Sequence, residues 1–265
     1  MTGYASLTDP FVQAPDFTQN YNRYSYCLNN PLMYSDPDGE FFIVDSWIVG
    51  FVSKFFQTGS LKQSWQEANK RAGNDAKLWG GLLVTDENKI FWGRTWELFS
   101  RLTWQAPQTI VGWFWSESKN IVGAVDRVDY LGGATFVTNE NQKKLGSQGV
   151  TIGNYINIDT HGKIDKDNFT DYVTDNQLYM HEYGHYIQSQ RWGPLYLFTV
   201  GIPSLISAAC YEQIPNDLYY ATTHDYFWTE YHANRNAAEY FNLNYGVIWD
   251  ETGYPLDDYR HFNKN

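Results

Sequence analysis

Apolar positions recur at helical spacing between residues 41 and 131. Residues 41–56 form an apolar stretch with sparse charge and the length of a helix. Over 61–105, tryptophan, leucine and charged residues alternate at helix-like spacing, and a further helix is predicted over 107–131, beginning at Pro107. The glycines expected to interrupt these helices are Gly73, Gly80, Gly81 and Gly93.

The pattern changes after the glycine pair that ends at Gly133. Residues 134–138 and 150–158 are rich in β-branched and aromatic side chains with partial alternation, which predicts two strands separated by a polar stretch. The remainder, from Thr174 to Asn244, is predicted to be helical with an irregular middle. Helices around a small sheet, in this order, predict a mainly helical α+β fold.

The first 39 residues differ from the rest of the chain. They are rich in Asn, Asp, Pro and Tyr, and they show no helical periodicity over a useful length. Turn-forming pairs occur at Asp9-Pro10, Asn30-Pro31 and Asp36-Pro37. We therefore expect a loop-rich segment over 1–39 and a separate domain over 40–265.

Composition indicates a folded protein and argues against one class of partner. Aromatic residues make up 18% of the 265 residues, which is as large a share as the charged ones. That much ring area can offset chain entropy, and the tryptophans are expected to pack in the core, with a ring-lined ligand cleft as the alternative. The net charge of −11 and the lack of a Lys/Arg cluster argue against nucleic-acid binding. Two cysteines, Cys27 and Cys210, are too few for a disulfide scaffold or a Cys-rich zinc site.

One segment raises the question of a membrane. From Trp192 to Tyr211 the chain has no Asp, Glu, Lys or Arg, and this length could cross a bilayer. Gly201 and Pro203 interrupt it, so a buried core segment is the favoured interpretation and membrane insertion the alternative. The polar, turn-rich residues after Met1 do not have the pattern of a secretory signal peptide.

The motif that carries chemistry is His181-Glu182-Tyr183-Gly184-His185. On a helix, both imidazoles lie one turn apart on the same face, where they can bind one Zn²⁺. Glu182 lies close enough to act on a water at the metal. Thr174 or Asp175 is expected to cap this helix, and Gly193 to end it. The alternative is a pair of histidines without a ligand role on a helix surface.

A catalytic zinc needs a third protein ligand and one open position. About 45 residues downstream, Glu230-Tyr231-His232-Ala233-Asn234 resembles the E-x-x-A-[DN] helix of gluzincin metallopeptidases. The resemblance implies that Glu230 binds the metal beside His181 and His185, that Ala233 lets the two helices approach, and that Asn234 hydrogen-bonds a ligand. It also implies a zincin-like fold, Zn²⁺ as the cofactor and a protein or peptide substrate.

Other residues near this helix could take part in the reaction. The metzincin subclass is excluded because Gln188 and Arg191 stand where it needs Gly and His. His224 precedes the helix of Glu230, and His232 points elsewhere on it, so neither is favoured as the third ligand. Four residues are candidates for stabilising an oxyanion: His224, Tyr226, His232 and Arg235. Of these, His224 and Tyr226 are predicted to be catalytic residues together with Glu182.

The N-terminal run Asp9–Gly39 carries a second resemblance. Its ordered features are Asp9-Pro10, Asn22-Arg23-Tyr24-Ser25-Tyr26, Asn29-Asn30-Pro31 and Asp36-Pro37-Asp38-Gly39. This run resembles the end of the core in Rhs (rearrangement hot spot) and YD-repeat proteins, where the core closes a β-cage and a variable cargo, commonly a toxin, follows. The YD repeats are absent from this chain. Glu40 departs from the apolar residue that is usual at the point where the family often cleaves itself.

These features predict a zinc metallopeptidase toxin at the tip of an Rhs-type effector. Glu182 is expected to take the proton of a zinc-activated water and return it to the leaving amine, with the substrate extended along residues 150–158. The alternatives are a non-catalytic tip that keeps a zinc site for folding or recognition, and a membrane-inserting toxin that uses residues 194–210. The Rhs resemblance implies an upstream shell, a cognate immunity protein and delivery by a bacterial secretion system.

Overall fold

A small mixed β-sheet lies between two groups of helices in the computed structural model. The sheet has the order β1-β2-β4-β3, and its strands are β1 (Arg127–Leu131), β2 (Ala134–Asn139), β3 (Gln148–Ile152) and β4 (Tyr155–Asp159). β2 and β4 pair in parallel, whereas the other two pairs are antiparallel. β3 is therefore an edge strand of this sheet.

The structure describes residues 40–140, 148–160, 162–164, 168–213 and 222–258, with side chains from residue 45 onward. The predicted Rhs core remnant, 1–39, lies outside these ranges. The helices in the described ranges are α1 (Glu40–Thr58), α2 (Leu61–Gly81), α3 (Phe91–Leu102), α4 (Ala106–Ile121), α5 (Phe169–Thr174), α6 (Gln177–Trp192), α7 (Ile202–Ala209) and α8 (Trp228–Tyr245). A 3₁₀ turn (Gly193–Leu195) and a π-helical turn (Leu197–Gly201) connect α6 to α7. The prediction of a mainly helical α+β fold with a small sheet is confirmed.

The sheet has a separate hydrophobic core on each face. Phe136 and Ile156 face one side, where they pack with buried residues of α5, α6 and α8. Val137 and Tyr155 face the other side, toward α2 and α4. Because successive strand residues point to opposite faces, the central strands β2 and β4 are buried on both sides.

Two predicted elements are divided differently in the structure. The helix predicted over 107–131 ends at Ile121, and its last five residues form β1 instead. Gly123, with φ of +78°, lets the chain leave the helix. The segment 150–158 is not one strand but most of a hairpin, because Gly153 at φ +64° allows the chain to turn between β3 and β4.

Only one of the predicted glycine breaks coincides with a helix end. Gly73 and Gly93 lie inside α2 and α3, because tertiary packing overrides the low helix propensity of a single glycine. The helix does end at Gly81, where a Cβ would lie 2.4 Å from Oγ1 of Thr135. Gly81 is thus needed for the approach of α2 to the sheet.

Most tryptophans between residues 65 and 115 are not core residues, contrary to the prediction. Four of them are at least half exposed: Trp65, Trp92, Trp96 and Trp115. Trp113 is an exception, since it packs against the second core. These four tryptophans therefore add aromatic area to the surface and not to the core.

The uncharged segment 192–211 is not a buried core segment, and that prediction was wrong. α7 has no buried residue, and Phe198 and Leu205 are 70% and 64% exposed. A bend of 118° separates Gln177–Leu195 from Leu197–Ala209, so the segment turns away from α6. No single described helix is long and apolar enough to cross a membrane, although this bent pair together meets the length and composition of a span.

Helices α2 and α4 meet through buried polar side chains. Asp75 and Glu117 are both buried there, and the Asn120 amide donates to Asp75 and to the Arg71 carbonyl. Burial, reinforced by the hydrogen bond and charge of Asp75, raises the pKa of Glu117 to about 9. Glu117 therefore carries a proton in the folded protein at neutral pH.

We expect Glu117→Gln to raise the free energy of unfolding at pH 7 by on the order of 1–2 kcal/mol. An acid whose pKa is higher in the folded chain than in the unfolded one loses stability as pH rises from 4.5 toward about 9, and glutamine removes this loss. Denaturant unfolding at several pH values in that window measures it.

Glu67→Gln is the matched control, and it should change the free energy of unfolding in the opposite direction. Burial alone would raise the pKa of Glu67, but its ion pairs with Arg71 and Lys70 hold that pKa below the ordinary value. The Glu67 carboxylate thus stabilises the fold above its ordinary pKa, and its loss should lower stability at pH 7. If stability fell with pH equally in Glu117→Gln and wild type, the prediction would be wrong.

Candidate metal centre

Helix α6 carries His181, Glu182 and His185 into the protein interior. All three side chains are buried, and the centroids of the two imidazole rings lie 4.8 Å apart. The helix ends before Gly193, where φ is +53°, as predicted. The motif thus lies on a regular helix, with both histidines on one face.

The start of α6 differs slightly from the prediction. Asn176 is the cap, because its Oδ1 accepts hydrogen bonds from the backbone nitrogens of Leu178 and Tyr179. Thr174 and Asp175, the predicted caps, lie at the end of α5 instead. Thr174, Asp175 and Asn176 can all cap a helix. Asn176 supplies the acceptor because it directly precedes the first turn of α6.

The backbones of α6 and α8 approach each other closely beside the histidines. A Cβ on Gly184 would lie 2.0 Å from the carbonyl oxygen of Ala233. Ala233 and Ala237 are both fully buried on the facing side of α8. The close approach therefore needs glycine on one helix and a small residue on the other.

This approach brings Glu230 of α8 to both histidines. Oε2 of Glu230 lies 3.3 Å from Nε2 of His181 and 3.0 Å from Nε2 of His185. Two ligand atoms bound to one tetrahedral zinc lie about 3.3 Å apart, given bonds of about 2.0–2.1 Å. One ligand atom from each of the three residues lies within 4.8 Å of the others, so the group could hold a metal ion.

Asn234 orients the ring of His181. Its amide nitrogen donates to the Pro255 carbonyl at 2.8 Å, which leaves its Oδ1 facing Nδ1 of His181 at 2.6 Å. An amide oxygen only accepts, so Nδ1 carries the proton in this contact. Nε2 of the same ring then faces Glu230 and the site.

Gln188 has the same role for His185. Nδ1 of His185 donates to Oε1 of Gln188 at 2.8 Å, and the Gln188 amide nitrogen donates to the Thr229 carbonyl at 2.7 Å. This contact ties the α6 histidine to the residue that precedes Glu230. Gln188, which excluded the metzincin subclass, therefore supports the centre.

The second carboxylate oxygen of Glu230 is also occupied. Oε1 accepts hydrogen bonds from the hydroxyls of Ser204 on α7 and Thr229, each at 2.7 Å. These donors leave Oε2 directed at the histidines. Sequence reasoning missed Ser204, because nothing in its local pattern distinguishes it from other serines.

Electrostatics favour a cation among these residues. Burial lowers the pKa of His185, but the charge and hydrogen bond of Glu230, together with Glu182, outweigh burial and raise it to about 9. Burial likewise opposes ionisation of Glu230, yet the two histidines hold its pKa well below the ordinary value. A metal would replace the proton on His185 as the positive charge that Glu230 requires.

Glu182 lies against the edge strand β3. Its Oε2 accepts a hydrogen bond from the Thr151 hydroxyl at 2.6 Å. A Cβ on Gly149 would lie 2.3 Å from Oε1 of Glu182, so only glycine leaves room for this carboxylate. Gly149 and Thr151 thus position Glu182, and neither was predicted from the sequence.

A cavity of about 560 Å³ opens over the centre. Its lining includes His181, Glu182, His185 and Glu230, and the whole of β3 forms one wall. The π-helical turn and α7 form another wall with apolar side chains. Such a mostly apolar cleft with a few convergent polar groups is typical of a ligand-binding site.

The candidates for oxyanion stabilisation lie in different places. His224 lines the cavity, whereas Tyr226 is half-buried and outside its lining. His232 and Arg235 border a separate groove, and Arg235 pairs with Asp257 at 3.2 Å. Among these four residues, the structure brings His224 to the cavity.

Tyr254 also lines the cavity and was missed by sequence reasoning. Its ring centroid lies 5.4 Å from that of His181. Burial, with the charges of Glu182 and Asp225, raises its pKa to about 12, so its hydroxyl remains a donor at neutral pH. Tyr254 lies in a loop beyond α8, where no motif signals a role.

Comparison with known proteins identified no similar protein. No family model matches the chain, and no curated protein or solved structure matches it either. The assignment of the centre therefore depends on its own geometry.

We expect Asn234→Ala to weaken the binding of added Zn²⁺ by about 10–100-fold, because the variant leaves His181 without the acceptor that orients it. Competition with a chromogenic chelator measures this affinity. Asn236→Ala is the control, since Asn236 is also buried on α8 but contacts Arg191 instead of a histidine. Equal losses in both variants would indicate a general effect on α8 and contradict the assigned role.

Proposed function

We propose that the chain is a zinc-dependent metallopeptidase whose domain over 40–265 has a zincin-like, gluzincin-type fold. The observation that supports this most directly is the convergence of His181, His185 and Glu230, with Glu182 beside them in the same cavity. Three protein ligands facing a cavity match a catalytic metal site better than a closed structural one.

The donor set supports zinc over other common metals. Two imidazole nitrogens and one carboxylate oxygen are the ligands of several catalytic zinc enzymes, whereas Mg²⁺ and Ca²⁺ prefer oxygen alone. When bound there, Zn²⁺ would act as a Lewis acid and lower the pKa of water toward about 7.

Glu182 is proposed as the general base and acid. Thr151 occupies its Oε2, so Oε1 is the atom that accepts the proton of the attacking water. The water oxygen bonds to the carbonyl carbon, and Glu182 then passes the proton to the leaving nitrogen as the carbon–nitrogen bond breaks. His224 and Tyr254 are the cavity residues proposed to stabilise the charge on the carbonyl oxygen.

The edge strand β3 is the proposed substrate-binding element. It lines the cavity along its whole length, and its partner β4 pairs with it on the other side. An extended peptide can add to such an edge through main-chain hydrogen bonds. The proposed substrate contact is therefore β3, residues 148–152, which overlaps the predicted segment 150–158 only at 150–152.

The biological setting is proposed from the N-terminal pattern alone. The Rhs-like features of residues 9–39 support a toxin or effector tip on an upstream Rhs shell, delivered by a bacterial secretion system and paired with an immunity protein. These residues lie outside the described part of the chain.

Two variants should distinguish zinc binding from catalysis. We expect about one zinc per chain in wild type and Glu182→Gln, and loss of zinc in His181→Ala, because only the last removes a ligand. Hydrolysis of a quenched fluorescent peptide library should fall by about 10²–10⁴-fold in Glu182→Gln. Elemental analysis and the peptide assay measure the two properties.

The main alternative is a non-catalytic tip that keeps a metal for folding or recognition. Wild type that binds zinc but hydrolyses no peptide, or a Glu182→Gln variant with unchanged hydrolysis, would favour it. A wild-type protein without zinc would overturn both interpretations.

Gly149→Ala should lower hydrolysis by about 10-fold or more with zinc still bound, because the new methyl group displaces the Glu182 carboxylate. Gly73→Ala is the matched control: a Cβ there meets nothing within 4 Å, and the helix should gain about 0.5–1 kcal/mol. Peptide hydrolysis and zinc content are measured on both. Full activity in Gly149→Ala would show that Glu182 is not the base.

A further inference from the structure

Helix α3 buries its polar face and exposes its apolar face. Glu97, Ser100 and Arg101 are buried, and Nη2 of Arg101 lies 3.1 Å from Oε1 of Glu97 and donates to the Gly133 carbonyl. The exposed side chains on the other face are Phe91, Trp92, Trp96, Phe99 and Leu102. This is the reverse of an ordinary amphipathic surface helix.

Helix α4 has the same reversed orientation. Its buried face carries Gln108, Ser116 and Glu117, and Ser116 accepts a hydrogen bond from Asn157 of β4 at 3.0 Å. The exposed side chains are Ile110, Val111, Phe114 and Trp115. Glu97 and Arg101 of α3 and Ser116 of α4 have polar partners inside the protein, and the apolar sides of both helices are left outside.

The connection from α6 to α7 adds a third apolar surface. The buried side of this connection faces the cavity, and α7 itself has no buried residue. The exposed apolar side chains are Trp192, Leu195, Phe198, Ile202, Leu205 and Ile206.

The three elements that carry these surfaces meet at Gly193, which is buried. A Cβ there would lie 2.9 Å from Cδ1 of Trp104, whose ring packs 5.0 Å from Trp96 of α3. Gln108 at the start of α4 donates to the Gly193 carbonyl at 2.7 Å. We call the exposed apolar side chains of α3, α4 and 192–206 the apolar rim.

The segments that carry the apolar rim have very few charged side chains. The protein has 30 acidic residues, yet 90–116 and 192–211 contain Glu97 alone, and it is buried. Arg94 is the single exposed charged side chain of these two segments. A net charge of −11 is thus kept off this surface, which is rich in Trp and Phe.

We propose that the apolar rim lies on the surface of an electrically neutral lipid bilayer. Exposed Trp, Phe and Leu side chains on helices are typical of proteins that lie in the bilayer interface, where tryptophan rings are favoured. The absence of acidic side chains removes the desolvation penalty that would oppose such contact. Because Ile202 and Leu205 also line the cavity, docking would place the cleft next to the lipid.

A protein partner fits this surface less well than a bilayer does. Stable protein interfaces surround an apolar centre with hydrogen-bonding and charged side chains. The rim offers Arg94 as its single exposed charge, and Arg94 donates to Thr85. The proposal does not require the peptidase activity, since it concerns the outer side of α3, α4 and α7.

Flotation of the full chain with phosphatidylcholine vesicles tests the proposal. Wild type should rise with the vesicles, at low and high salt alike, because the contact is apolar and not ionic. Two variants are compared, Phe198→Glu/Ile206→Glu on the α7 side and Trp92→Glu/Phe114→Glu on the α3–α4 side. Each should lower the vesicle-bound fraction by at least about 10-fold.

The control is Leu243→Glu/Ile248→Glu, which adds the same charge to exposed apolar positions outside the rim and should float like wild type. Circular dichroism verifies that all variants are folded. If wild type fails to float, whether as a monomer or as a dimer by light scattering, the proposal is overturned. Unchanged flotation of either rim variant, or an equal loss in the control, overturns it as well.

Discussion

The contact between the backbones of α6 and α8 at Gly184 is the constraint on which the whole centre depends. With no side chain at Gly184, the Ala233 carbonyl reaches the α6 backbone, and the two helices lie closer than ordinary side chains allow. Glu230 then reaches both histidines from one turn before Ala233, and Asn234 reaches His181 from the next position. A larger residue at 184 would push the helices apart and lengthen all of these contacts together. Gly184 therefore determines both how closely α6 packs against α8 and where the candidate metal-ligand atoms lie.

The proposed proton carrier is held by a different element, the edge strand β3. Thr151 donates to Glu182, Gly149 leaves room for it, and the Tyr196 hydroxyl donates to the Thr151 carbonyl from the other wall of the cavity. The strand that would bind a peptide thus also positions the group that would transfer the proton. Because both functions use one rigid strand, a bound carbonyl and the Glu182 carboxylate would keep a constant separation.

Polar contacts inside the helical layers explain why so many aromatic side chains lie outside. The Glu97–Arg101 pair and the Asp75–Glu117 pair are buried, and buried polar groups require partners, so the helices that carry them turn their polar faces inward. The apolar faces of α3 and α4 are left at the surface as a consequence. The two cores on the faces of the sheet are built from other side chains, mainly aliphatic residues, tyrosines and Phe136 and Phe241.

Local order in the chain was sufficient to predict the α+β class and the paired histidines, because a helix puts residues four apart on one face whatever surrounds it. The hairpin around Gly153 and the strand after Ile121 were missed, since a short apolar run does not reveal where the chain turns. Gly149, Ser204 and Tyr254 come to the cavity from a strand, a helix and a terminal loop, and no spacing along the sequence relates them to His181. Periodicity also shows that a helix has two faces without showing which one is inside. That choice was made by the tertiary structure, because only there does buried Glu97 meet Arg101 and Tyr186, and Ser116 meet Asn157.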